Sequence, residues 1–272
     1  MASNGIPEGK YVNIHKGYQI HYHDEGGGFP VIFLHGSGQG ASCWSNFKQN
    51  SPYFVYHGFR SLLPDTLGFG YSSMPDNVQY TLDFMVDGTK ALIDALGIKE
   101  CALVGNSLGG AMALRLALQY PDLVKKLILM APGGLEEKEA YFAMEGIKKM
   151  FAVIQSKGAS RDALKEVFKL QLYDESLVTD ALIDERYPIA VKQPGVIYST
   201  MQVPNMKKDL HKLKCPILTF WGMDDKYMPL DGAITLAKCK NSRVVLQSEC
   251  GHWFMVEYKN LFNKMCVDFL KE

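Results

Sequence analysis

One short segment restricts this chain more than any other: Leu103-Val104-Gly105-Asn106-Ser107-Leu108-Gly109-Gly110. An apolar run ends in G-x-S-x-G and passes directly into a helical run rich in small residues. A serine between glycines at such a junction sits on a sharp turn, the context of a nucleophile elbow. The turn drives the serine into strained backbone space, and the glycines remove Cβ atoms where strand and helix nearly touch. Gly109, Ala113 and Ala117, spaced by four, give the helix one thin face for close approach. Ser107 is therefore expected at the C-terminal edge of a sheet.

The remaining pattern supplies that sheet. Short apolar runs at 18–23, 31–35, 59–64, 102–105, 127–130, 217–221 and 244–247 read as strands, several of them continuously apolar, as strands covered on both faces are. Helical spacing lies between them, clearest over 82–96, where Leu82, Met85, Val86, Leu92, Ile93 and Leu96 form one stripe before a capping Gly97. Strand and helix alternate, so the class is α/β with a mostly parallel sheet. The alternation stops between about 135 and 207, where helix-like stretches at 136–155, 160–172 and 176–190 follow one another. This reads as a helical lid (135–207) dividing a core into 1–134 and 208–272, with an amphipathic segment at 260–270 closing the chain.

Composition narrows the function. The chain has 272 residues, 47% of them hydrophobic, which is ample for one buried core and excludes disorder as the main state. Its 29 basic and 29 acidic residues give no net field, so neither nucleic acid nor a membrane surface is an expected partner. The longest apolar runs fall far short of the roughly 20 residues a membrane helix needs. The opening MASNGIPEGK has no basic head followed by an apolar stretch, so a cytoplasmic protein is expected. Six scattered cysteines contain no C-x-x-C pair. They read as free, mostly buried thiols rather than a zinc site or a disulfide framework.

A serine hydroxyl needs a base, and the base needs a partner that fixes its tautomer. Of seven histidines, only His252, in Cys250-Gly251-His252-Trp253, follows the resumed sheet rhythm; His211 lies earlier, in the linker. The acid comes from Trp221-Gly222-Met223-Asp224-Asp225, at a strand end. Position leaves Asp224 and Asp225 open, with Glu136, Glu137 and Glu249 weaker candidates. The loop Gly36-Ser37-Gly38-Gln39-Gly40 exposes backbone N–H groups, and those of Ser37 and Leu108 are the expected oxyanion donors. A phosphate loop is the alternative, but G-x-x-x-x-G-K-[ST] is absent. His35, beside this loop, reads as structural. No cofactor and no metal are expected.

With Ser107, acid and His252 in that chain order, the sequence resembles the α/β-hydrolase superfamily along its length. It is more closely similar to the meta-cleavage-product hydrolases, which split carbon-carbon bonds in aromatic degradation. The closer resemblance rests on Trp44-Ser45-Asn46-Phe47, the elbow, residues 127–134 (LILMAPGG), residues 172–179 (LYDESLVT) and Cys250-Gly251-His252-Trp253. It implies an eight-stranded, mostly parallel sheet with helices on both faces, a helical lid and a homodimer or larger assembly. It also implies Asp225 as the acid, through G-x-x-D at 222–225. A substrate-binding set follows: Arg186 for the carboxylate, Asn106 and Asn46 for the polar half, Trp253 beside the base, and the backbone of Gly36 and Gly38. The implied substrate is a 2-hydroxy-6-oxo-hexa-2,4-dienoate, hydrolysed to a 2-hydroxypentadienoate and a carboxylic acid.

The chain departs from the family pattern in two places, with Gln39 where proline is usual and a shortened stretch between Arg186 and Cys215. Met144, Ile147, Met150, Phe151, Ile154, Met201, Val203 and Met206 are candidates for the acyl pocket. The same triad also suits a carboxylesterase of relaxed specificity, and a ligand receptor that retains a triad is the non-enzymatic reading.

Overall fold

The apolar run ahead of Ser107 is strand β5, Cys101–Asn106, buried along its whole length. In the computed structural model, which describes residues 6–272, it lies near the middle of an eight-stranded sheet. The other strands are β1 Lys10–Asn13, β2 Gln19–Glu25, β3 Pro30–Leu34, β4 Arg60–Pro64, β6 Val124–Met130, β7 Ile217–Gly222 and β8 Ser242–Gln247. Their order is β1-β2-β4-β3-β5-β6-β7-β8. The β1–β2 and β2–β4 pairs are antiparallel and all others parallel. Strand β1 lies outside the expected set because an edge strand needs no apolar run: only Val12 in it is even half-buried. The first five residues of the opening segment inspected for a leader lie outside the described residues.

Alternation along each strand divides the core in two. Leu103, Ile32 and Leu127 point to one face, beneath α3 (Leu82–Ala95), α4 (Leu108–Gln119) and α10 (Asp231–Ala237). Val104, Phe33 and Ile128 point to the other, covered by α1 (Cys43–Phe47), α2 (Ser51–Tyr56), α11 (Phe254–Glu257) and α12 (Lys259–Lys271). Helix α3 forms as its stripe predicts: Thr81 caps it by accepting the Phe84 N–H, and Gly97 leaves it at φ 67°. All six cysteines are free, and five are buried.

Between β6 and β7 the chain runs through α5 (Lys138–Ala143), α6 (Glu145–Lys157), α7 (Arg161–Lys169), α8 (Asp180–Ala190) and α9 (Val196–Thr200). The single helix expected over 136–155 is two. Met144 is extended (φ −65°, ψ 138°), and the turn it makes lets the Gly146 N–H donate to Lys226 O at 2.8 Å. That tertiary bond anchors the start of α6, and periodicity alone cannot reveal it. Helices α7 and α8 bury Leu164, Phe168 and Ile183 in the second core, whereas α6 buries only Gly146. Among the described residues no helix is long and apolar enough to cross a membrane.

Candidate active site

Every candidate catalytic residue follows the carboxyl end of a parallel strand, where open α/β sheets place their ligands. Ser107 leaves β5 at φ 56°, ψ −116°, a conformation that a non-glycine residue holds only when its surroundings over-determine it. They do so here. Its N–H donates to Met130 O, and its carbonyl accepts from Ala111 and Gly133, each at 3.0 Å. The following helix crosses β3 so closely that a Cβ on Gly109 would lie 2.0 Å from Leu34 O. Glycine is required there by contact rather than by flexibility.

The neighbouring loop after β3 lies against the serine: a Cβ on Gly36 would be 3.3 Å from Ser107 Cβ. The Ser37 and Leu108 N–H groups have no protein acceptor among the described residues and line one cavity with Ser107. His35 is fully buried; its Nδ1 bonds Gly36 O at 2.7 Å and its Nε2 accepts from Thr66 N–H at 3.0 Å. With both nitrogens engaged and burial pushing its pKa down, it is a neutral strut of the loop.

His252 Nδ1 lies 2.7 Å from Asp225 Oδ2, with both side chains almost fully buried. The other carboxylate oxygen of Asp225 accepts from Tyr227 and Met228 N–H at 2.7 and 3.0 Å. The aspartate is thus held as an acceptor, which places the histidine proton on Nδ1 and leaves Nε2 free to take another. Ser107 Oγ makes no hydrogen bond to it in this structure, although both groups line the cavity. Asp224 is exposed and accepts from Glu249 N–H. Glu136 pairs with Lys207, Glu137 with Asn205, and His211 with a carbonyl of its own turn. None of these reaches His252.

Arg186, on α8, is 1% exposed and lines the same cavity. It has no acidic partner among the described residues: neighbouring Glu185 pairs with Lys48. One Nη donates to Asn46 Oδ1 and Nε has no acceptor. The guanidinium lies over Trp253 at 4.8 Å and Phe168 at 5.1 Å, and burial lowers its pKa to about 10. Asn106 donates to Met130 O and His252 O at 3.3 Å, tying elbow to base loop, while its Oδ1 is buried without a donor. A Cβ on Gly38 would lie 3.6 Å from an Arg186 Nη.

The cavity encloses about 730 Å³. Sheet order puts Ser107 between the β3 loop, beside Arg186, and the β6 loop, beside Val203. One arm is therefore polar and cationic. The rest of the lining is mostly apolar, with Ile147, Met150, Phe151 and Ile154 of α6, Met201 and Val203, and it also includes Lys138, Asp83 and Gln202. Met144 and Met206 do not line it; the first forms the helix break and the second packs on Gly134.

Three contributors escape sequence reasoning. Gln171 accepts the His252 N–H at 2.7 Å. Tyr227 stacks on the His252 ring, with centroids 5.6 Å apart at 26°. Glu257 gathers three backbone donors, Gly251 at 2.7 Å, Tyr173 at 2.7 Å and Asp174 at 3.0 Å, joining the base loop to the helical insertion. Only the spacing of Glu257, five residues after the base, is a local signal, and it is too general to single out.

A family model described as alpha/beta hydrolase fold matches residues 30–258. A 2-hydroxy-6-oxo-6-phenylhexa-2,4-dienoate hydrolase of Burkholderia cepacia is 37% identical, covering 96% of each chain. A 2-hydroxy-6-oxononadienedioate/2-hydroxy-6-oxononatrienedioate hydrolase of Comamonas testosteroni is 36% identical over the same share of each. Among solved structures, a meta-cleavage product hydrolase from Pseudomonas fluorescens IP01 superposes with a TM-score of 0.85 at 30% identity, covering 97% of both chains.

Proposed function

The chain belongs to the α/β-hydrolase family, among the meta-cleavage-product hydrolases, and from that premise we propose that it hydrolyses the C5–C6 bond of 2-hydroxy-6-oxo-hexa-2,4-dienoates. One observation carries the reading: a buried arginine without a carboxylate partner shares a cavity with an elbow serine, a His–Asp pair and an apolar arm. A neutral ester has no use for that cation. A substrate with a carboxylate at one end and an alkyl or aryl ketone at the other uses every part.

Carbon leaves only as a stabilised anion, so the dienol must first become a ketone, its hydroxyl proton ending on C5. Arg186, bonded to Asn46, holds the carboxylate and, with Asn106, the 2-oxo end, while Trp253 walls the pocket next to the base. Ser107 then adds to C6 as His252 Nε2 takes its proton, and the alkoxide is stabilised by the Ser37 and Leu108 N–H groups, with Gly36 and Gly38 keeping the loop close. Collapse breaks C5–C6 and expels a dienolate, which takes the proton held on His252 Nε2 and leaves as 2-hydroxypentadienoate, returning the base to its neutral form. Water activated by His252 frees the carboxylic acid from Ser107. Residues 135–207 act as a lid that carries Arg186 and the apolar arm, on a core made of 1–134 and 208–272.

The test is stopped-flow loss of dienolate absorbance with methyl- and phenyl-substituted substrates. We expect bleaching with at least one, abolished by Ser107→Ala. Rapid ester turnover with no bleaching of either would replace this reading with a carboxylesterase. Self-association into a homodimer or larger assembly rests on the family resemblance, and light scattering after size exclusion decides it.

A further inference from the structure

Among the described residues, three of the buried side-chain atoms that lack any hydrogen-bond partner belong to residues that line the candidate cavity: Arg186 Nε, Asn106 Oδ1 and Gln39 Oε1. Unsatisfied buried polar groups cost free energy, so three around one cavity are groups that a small side-chain turn offers to a ligand there. The set is one cationic donor and two neutral acceptors. A carboxylate answers the donor, but carboxylate oxygens repel the acceptors, which need an O–H.

Gln39 has no part in the chemistry proposed for Ser107, His252 and Arg186. It stands between two glycines that both pack on the arginine. A Cβ on Gly38 would lie 3.6 Å from an Arg186 Nη, and one on Gly40 would lie 2.2 Å from Arg186 O. The Gly40 N–H is in turn fixed by Gln193 Oε1 at 2.7 Å. The loop therefore carries its oxyanion donor at Ser37 and, two residues on, an amide at the arginine end of the cavity. Resting on the function proposed above, we infer that Gln39 is a specificity-determining residue that accepts a hydrogen bond from the 2-hydroxyl of the dienoate while Arg186 holds the adjacent carboxylate. An amide also carries a donor, so after ketonisation a turn of the same group serves the 2-oxo oxygen. A proline or a carboxylate at this position does not offer both.

The experiment compares two ligands on two proteins. Binding of 2-hydroxy-6-oxo-6-phenylhexa-2,4-dienoate and of its analogue lacking the 2-hydroxyl is titrated on Ser107→Ala and on Ser107→Ala with Gln39→Ala. Deleting the amide is expected to weaken the hydroxylated ligand about threefold to tenfold, as for one neutral hydrogen bond, and to weaken the analogue far less. Equal weakening of both ligands, no weakening of either, or no binding of the dienoate overturns the inference. The function itself is tested separately, by turnover with Ser107 intact. Ligand-selective binding without turnover would sink the carbon-carbon hydrolase and leave the role of Gln39 standing.

Discussion

Arg186 shows what enclosing a single charge costs. A guanidinium enclosed by Phe168 and Trp253, with an amide oxygen as its sole hydrogen-bond partner among the described residues, keeps its charge at a cost, which is why burial lowers its pKa to about 10. A bound carboxylate reverses the shift and stabilises the fold by mass action. Sorbate, a dienoate without the ketone, should therefore raise the melting temperature by about 5 °C at roughly a hundredfold over its Kd. The same titration on Arg186→Met should give little shift, and an equal shift in both proteins would remove the arginine from carboxylate binding. At this scale the elbow was legible, since strand end, turn and flanking glycines are consecutive. The burial of Arg186 was not, because nothing local distinguishes it from a solvated helix arginine.

At the scale of elements, the base loop is held by what surrounds it. The loop between β8 and α11 meets the insertion through the His252 N–H on Gln171 O, and Glu257 of α11 clamps Gly251 to Tyr173 and Asp174. Gly251 permits the approach: a Cβ there would lie 2.6 Å from Gln171 O. Glu257→Gln keeps the shape but presents an N–H₂ to one set of N–H donors. It should lower kcat on the order of tenfold by loosening the base, with a smaller effect on KM, because Arg186 sits on a different helix. Steady-state kinetics checks this, and a change in KM alone would show that Glu257 shapes the pocket instead. The helix stripes were readable from spacing, whereas the break at Met144 and this clamp depend on partners more than 80 residues away.

Across the whole molecule, stability is unevenly distributed. The central strands are buried on both faces, whereas α6 buries only Gly146, lines the cavity with Ile147, Met150, Phe151 and Ile154, and is otherwise largely exposed. Local opening should therefore be easiest in α6. Hydrogen exchange should show α6 amides exchanging well before those of β5 and β7, and slowing when sorbate or substrate analogue occupies the cavity. Uniform protection across insertion and sheet would contradict an independently opening lid. The even charge balance leaves no surface field to draw an anionic ligand, and the charge that would do so is the enclosed Arg186 guanidinium.

Sequence alone determined what depends on neighbours along the chain: the strand–turn–helix of the elbow, the parallel sheet implied by alternating strand and helix periods, and the order of serine, acid and base. It also narrowed the acid to two adjacent residues. Tertiary structure decided which aspartate meets His252, that Arg186 is buried without an acid among the described residues, that Gln39 lines the cavity, and that Glu257 ties the loop of His252 to the helical insertion. The physical reason is range. Backbone sterics and side-chain periodicity act over a few residues and leave a pattern in the sequence. Burial, hydrogen-bond completion and charge pairing depend on which distant segments the folded sheet brings together.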